Sequence, residues 1–157
     1  MTDQINYLTA EGYAELERKL EYLRTERRQE IAERLRMVMS EGGELNENAE
    51  YEDAKNDQAF VEGEIMRIEQ ILGSAEIIEE DAPKDSVSLG NRVTFREKGY
   101  DETEVYHLVG PAEANPKTGK ISYKSPLGQS LLGKQVGDQV VVKAPDGDII
   151  FEVLGID

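Results

Sequence analysis

Cysteine and tryptophan are absent from the chain, and histidine occurs once, at His107. Without cysteine there is no disulfide framework, thiolate metal site or thiol nucleophile. A single histidine leaves little for a histidine-based zinc site or a Ser-His-Asp arrangement. No apolar run approaches the roughly 20 residues that span a bilayer. The opening MTDQINYLTAEGY lacks the basic start and apolar stretch of a secretory signal, so a cytoplasmic protein with no membrane partner is expected. The 157 residues allow one large domain or two small ones. Basic residues are also scarce: 18 against 33 acidic ones, a net charge of −15. Phosphates would repel such a chain, which disfavours unaided binding to nucleic acid and points to a basic partner or a metal.

The charge is unevenly placed. Residues 1–80 hold 21 acidic and 9 basic residues, against 12 and 9 in 81–157. Within the first half, 11–36 is neutral, with seven of each sign, whereas 41–64 carries nine acids and only Lys55. The excess is therefore a locus and not a uniform surface.

Apolar periodicity locates it. Tyr13, Leu16, Leu20, Leu23, Ile31, Leu35 and Val38 form a seam that begins in heptad steps of three and four. It crosses Arg27 in three successive steps of four, the spacing of a coiled-coil stutter. A second seam, Tyr51, Ala54, Gln58, Val61, Ile65, Ile68 and Leu72, alternates three and four throughout. Both predict long amphipathic helices. Thr9 is placed to cap the first, with Glu11 in its first turn. Gly42-Gly43 suits a helix end and Asn46 the cap of the next helix, and so short a connection makes the two antiparallel. A helix of about 30 residues is a rod of roughly 45 Å. The acidic tip, about 40–51, is expected at its far end.

After residue 75 the period becomes two. Strands are expected at 77–78, 93–95, 105–109, 121–123, 140–142 and 149–156, separated by turn-forming Lys98-Gly99, Gly110-Pro111, 115–119, Gly137-Asp138 and 145–147. Ser125-Pro126 opens one short helix that Gly133 closes. The expected fold is α+β: an antiparallel helical hairpin over 1–76 and a mostly antiparallel sheet domain with a short helix over 77–157.

Two motifs carry a family resemblance. The run 43–51, Gly-Glu-Leu-Asn-Glu-Asn-Ala-Glu-Tyr, followed by Asp53-Ala54-Lys55 and Gln58, resembles the hairpin tip of the bacterial GreA/GreB transcript-cleavage factors. The run 122–133, Ser-Tyr-Lys-Ser-Pro-Leu-Gly-Gln-Ser-Leu-Leu-Gly, with Gly137-Asp138 behind it, resembles that family's C-terminal signature. The resemblance implies a coiled-coil hairpin that enters the secondary channel of RNA polymerase and an FKBP-like domain that docks at the channel entrance. Two tip carboxylates, Glu44 and Glu47 here, then help hold a magnesium ion, and the polymerase's own active centre cleaves the 3′ end of a backtracked RNA. Asn48 and Tyr51 would lie close to that RNA, and Ser125, Pro126 and Leu127 would contact the polymerase. On this reading the protein is an accessory factor acting as a monomer, not an enzyme, and magnesium is shared with the polymerase and not stably held by the free protein. The family's tip begins Gly-Asp-Leu, whereas Gly43-Glu44-Leu45 carries a glutamate, one methylene longer, preceded by an extra glycine, Gly42. That difference bears on cleavage more than on polymerase binding.

The chemistry is consistent with the residue types. Magnesium takes oxygen ligands in an octahedron, usually one or two carboxylates with water and phosphate oxygens. Two-metal phosphodiester hydrolysis places one ion near the attacking water and one near the leaving oxygen. Plainer explanations stand beside it. The helix macrodipole alone favours acids such as Glu47 and Glu50 in a first turn. Tyr51 serves equally as a seam residue, and His107, in a strand pattern, as a structural one. Arg27, Arg28, Arg34 and Arg36 could line a basic face for RNA, but i,i+4 surface pairing with the interleaved acids accounts for them better. Two other functions fit the pattern less well. One is a Gre-like inhibitor that occupies the channel without promoting cleavage. The other is an adaptor or prolyl isomerase, for which the second half offers only Phe95, Tyr100, Tyr106, Tyr123 and Phe151 as pocket aromatics.

Overall fold

The computed structural model describes residues 5–40, 49–80 and 84–157. Its elements are β1 (Asn6–Leu8), α1 (Ala10–Tyr22), a π-helical segment (Leu23–Arg27), α2 (Arg28–Ser40), α3 (Ala49–Gly73), β2 (Ala75–Ile77), β3 (Arg92–Glu97), β4 (Thr103–Val109), a 3-10 turn (Pro116–Thr118), β5 (Lys120–Ser122), α4 (Pro126–Leu131), β6 (Gln139–Ala144) and β7 (Gly147–Ile156). They form two compact units. One takes the chain up to Gly12 together with Ala75–Asp157, and the other is Tyr13–Ser74. Relative to a division at 76/77, residues up to Gly12 go with the sheet, because β1 pairs in parallel with β2, Leu8 opposite Ile77.

The helical unit is the hairpin its seams prescribe. Leu20, Leu23 and Ile31 pack against Val61, Ile65 and Ile68, with Leu16, Leu35 and Leu72 covering them. Each buried leucine or isoleucine contributes about 1.5–3 kcal/mol. Val38 and Ala54 are buried as well. The stutter has a physical counterpart. From Leu23 to Ile31 an α-helix would advance about 80° beyond two turns and carry Ile31 off the seam. The π turn at Leu23–Arg27 packs more residues into a turn and takes back most of that advance, so both side chains stay buried.

In the sheet unit the order is β5-β4-β3-β7-β6. Neighbours run antiparallel except β4 and β5, which are parallel with Leu108 opposite Ile121. Three of the four neighbouring pairs are antiparallel, so the sheet is mostly antiparallel as expected, with one parallel pair at its edge. The segment Gly110–Gly119 contains a 3-10 turn, capped by the Asn115 side chain accepting from Lys117 N–H, and does not reverse as a hairpin would. The β-branched alternation sends Val93, Phe95, Leu108, Val140 and Val153 into one core with Val87, Ile121 and Leu131. Phe95 is fully buried, with Tyr106 and Phe151 rings 5.2 and 5.0 Å away. Three of the five aromatics that a proline pocket would need are therefore engaged with one another.

Candidate functional site

Of the residues expected at the tip, Glu44, Glu47 and Asn48 lie outside the described residues. Tyr51 is half-buried in the first turn of α3, beside the acids Glu50 and Glu52. Among the described residues no cluster of three or more acids or histidines could hold a metal ion. The expected magnesium ligands, Glu44 and Glu47, lie outside that set.

What the described residues do show is how the hairpin arms are held. Arg24 pairs with Glu69 at 2.8 Å, Arg28 with Glu62 at 2.7 Å and Arg34 with Asp57 at 2.7 Å. Lys19 approaches Glu64 at 3.5 Å. For the three arginine pairs the partner numbers fall along α3, from Glu69 through Glu62 to Asp57, as the arginines rise along the first arm, which is the mark of antiparallel arms. The expected i,i+4 pairing is not what these arginines do: among the described residues Arg27 to Glu30 and Arg67 to Glu64 pair within an arm, both at i,i+3. The reason is geometric. Acids and bases that alternate along one helix also sit at the edges of its seam, where the facing helix brings an opposite charge closer. Arg27, Arg28 and Arg34 are therefore ion-paired and do not form an open basic face for RNA.

The Arg28–Glu62 pair is bidentate, and that hydrogen bonding raises the arginine pKa and lowers the glutamate's. Glu64, held by Arg67 and approached by Lys19, is lowered too. A groove of about 290 Å³ lies here, lined by Arg28, Ile31, Gln58, Val61 and Glu62. Its two charged groups are already committed to each other.

The Ser125-Pro126-Leu127 segment is built as its sequence indicates. Ser125 is the N-cap of α4, its Oγ accepting from Gly128 N–H at 3.1 Å and donating to the Ser122 carbonyl at 2.7 Å. Pro126 occupies the first helical position, where no N–H is needed. Leu127 is half-buried against the sheet core, and Pro126 is exposed. Gly128 has to be glycine, since a Cβ there would run into the Ser122 carbonyl oxygen. Gly133, with φ +79°, follows the helix as expected. α4 is thereby locked onto β5 with an exposed proline at its start.

His107 sits in β4 opposite Arg92, half-buried, with Nε2 3.1 Å from the Gly90 carbonyl. Burial, then the Arg92 charge, lowers its pKa. The structure also reveals a residue that sequence reasoning passed over. Glu113, almost fully buried, receives hydrogen bonds from the N–H and hydroxyl of Thr9, 104 positions away. No local pattern could have signalled that partner.

These features can be set beside known proteins. A family model described as "Transcription elongation factor, N-terminal" matches residues 6–77, and one described as "Transcription elongation factor, GreA/GreB, C-term" matches 82–157. The chain belongs to the GreA/GreB family of transcription elongation factors. Among its relatives, transcription elongation factor GreA of Clostridium novyi is 46% identical, over 99% of each chain. GreA of Bacillus licheniformis is 49% identical over 95% of this chain and 94% of its own. Both are GreA and not GreB, the branch that a short, acidic chain favours. The solved structure of the GreA factor homolog 1 (Gfh1) protein of Thermus thermophilus aligns over 98% of this chain and 99% of its own at 35% identity, with a TM-score of 0.45.

Proposed function

We propose that this protein enters the secondary channel of bacterial RNA polymerase and stimulates the polymerase's own cleavage of backtracked RNA 3′ ends, rescuing arrested complexes. The observation that carries the reading is the charge-compensated shaft. From Lys19 to Arg34 on one arm and Asp57 to Glu69 on the other, bases and acids pair across the hairpin. In the sequence a run of acids without a basic residue lies at 41–53, between the paired stretches of the two arms and around Glu44 and Glu47. A narrow arm with a neutral shaft and an acidic end is suited to a deep, basic, metal-bearing site.

Magnesium bound in the polymerase would stabilise charge on the phosphodiester and its attacking water. Glu44 and Glu47 would add carboxylate oxygens to that ion's shell. Asn48 and Tyr51 would lie beside the RNA end, while Ser125, Pro126 and Leu127 meet the polymerase at the channel entrance. The capped start of α4 and its exposed Pro126 support this last role. On this reading the protein works in the bacterial cytoplasm as a monomer, and it gains magnesium only with the polymerase.

The test is to add purified protein to a stalled, backtracked elongation complex with magnesium and to follow release of 3′ RNA fragments. Release that depends on the protein is expected. No release at saturating protein, together with slowed elongation, would replace this reading with that of a channel-blocking inhibitor.

A further inference from the structure

The base of the hairpin's first arm is held by a buried carboxylate. Only 6% of the Glu113 side chain is exposed, and it lies in the segment that joins β4 to β5. A carboxylate so placed is costly unless its oxygens are satisfied. Oε2 accepts from Thr9 N–H at 3.1 Å, Oε1 accepts from the Thr9 hydroxyl at 2.6 Å, and Lys120 Nζ stands 3.6 Å away. The same hydroxyl accepts from Gly12 N–H at 3.0 Å. Thr9 is thus the N-cap of α1 and Glu113 holds the cap, with a chain of bonds running Gly12 N–H to Thr9 Oγ1 to Glu113. Negative charge at this end also suits the helix dipole.

The surroundings leave the carboxylate little room to be elsewhere. Gly12 has no side chain where Glu113 lies, and a Cβ there would overlap the carboxylate. Gly110 comes up against the Tyr7 carbonyl with the same economy, and the Tyr7 ring meets Tyr123 edge-on at 6.0 Å. β1 is therefore docked by packing and pairing up to Leu8, and Glu113 extends the attachment into the first turn of α1. All of these groups belong to the sheet unit.

We infer that Glu113 is a positioning residue: it fixes the first turn of α1 to the β4–β5 connection, and through it the working efficiency of the hairpin once the factor is bound. The inference rests on the function proposed above. From Ala10 the helix continues through the π segment to Ser40, about 45 Å at the usual rise. Slack of about 3° at the start of such an arm moves its other end by about 2 Å. In positioned chemistry about 1 Å is enough to cost about a hundredfold. Losing Glu113 should thus spare docking and impair action at saturation.

Three full-length variants test this: Glu113→Ala, Glu113→Gln, which keeps one acceptor, and Gly12→Ala, which displaces the carboxylate without removing it. Amide hydrogen exchange in the free protein reads the clamp directly. Protection at Thr9 and Gly12 should fall about tenfold or more in Glu113→Ala and Gly12→Ala, with core amides such as Val93 and Leu108 unchanged. Polymerase affinity, by competition, should stay within about twofold, while the RNA release rate at saturating factor falls about tenfold or more, Glu113→Gln lying between. Unchanged exchange in Glu113→Ala, or altered exchange with a wild-type saturated rate, would overturn the inference. If the wild type itself releases no RNA, the cleavage reading fails. Exchange then decides the clamp, and slowing of elongation at saturation takes the place of release as the functional measure.

Discussion

Arg28 and Glu62 meet fork to fork across the hairpin, Nε to Oε2 at 2.9 Å and Nη2 to Oε1 at 2.7 Å. Two parallel bonds fix direction as well as distance, so the pair specifies which residue of α3 faces which residue of α2. An exposed pair adds little to stability by itself. Its stronger effect is on register, since slipping α3 by one turn against α2 would set acids and bases out of step along the whole shaft.

Reversing one member, by Arg28→Glu or Glu62→Arg, is expected to lower the hairpin's melting temperature, and the double swap to restore most of it. The restored fraction should shrink as salt rises. Because hydrogen bonding lowers the Glu62 pKa in the fold, the pair's contribution is present above the ordinary carboxylate range and is lost as pH falls through the lowered native value. Melting followed by circular dichroism across pH and salt checks all three expectations.

His107 gives the sheet unit an acid sensitivity of its own. Its pKa is lowered by burial and by Arg92, while the Gly90 carbonyl, Glu113 and Glu80 act in the opposite sense. The unfolded chain therefore takes up the proton first. Stability conferred by the neutral ring is complete above about pH 6.5 and declines as pH falls through the native value. A His107→Gln variant should show a flatter dependence of the urea midpoint between about pH 7.5 and about pH 5 than the wild type.

α4 should fail in two distinguishable ways. Ser125→Ala removes the cap of α4 and should cost about 1 kcal/mol. Gly128→Ala forces a methyl group against the Ser122 carbonyl and should cost about 1–3 kcal/mol, since β5 has to move. Chemical denaturation gives the magnitudes. Polymerase competition should weaken in both, because the exposed Pro126 is displaced along with the helix.

Glu44→Ala and Glu47→Ala are each expected to abolish stimulated cleavage while leaving polymerase binding nearly intact. The measurement is fragment release at saturating factor against affinity by competition. Wild-type release from both variants would remove these two residues as ligands.

Much of the fold was legible because its signals are local. The seams named Leu20, Leu23, Ile31, Val61, Ile65 and Ile68, and all six are in the hairpin core. Turn chemistry separated six strands, each found where its β-branched run lies. β1 escaped notice because three residues, Asn6 to Leu8, carry no period and form a strand only through β2. The parallel β4–β5 pair escaped for a similar reason: Gly110-Pro111 announces a turn but not which way the chain comes back. Charge was misread at the level of partners. Alternating acids and bases satisfy the i,i+4 rule on paper, and only the facing helix decides that Arg24, Arg28 and Arg34 look across the seam. Glu113 was invisible, as a single acid in a loop with its partner at the other end of the chain.

The wide helical turn at Leu23–Arg27 has an implication for how such arms can vary in length. It accommodates one residue more than the seam requires, for Leu23 and Ile31 are eight apart where seven would close an unbroken heptad. Deleting one of the outward residues there, such as Thr25, would leave the same side chains in contact and turn the segment into plain α-helix. The arm would keep both its core and its reach, because Leu23 and Ile31 would still meet the same partners on α3. A hairpin containing this turn can therefore gain or lose a single residue without moving its end, a tolerance that suits an arm whose use depends on where that end arrives.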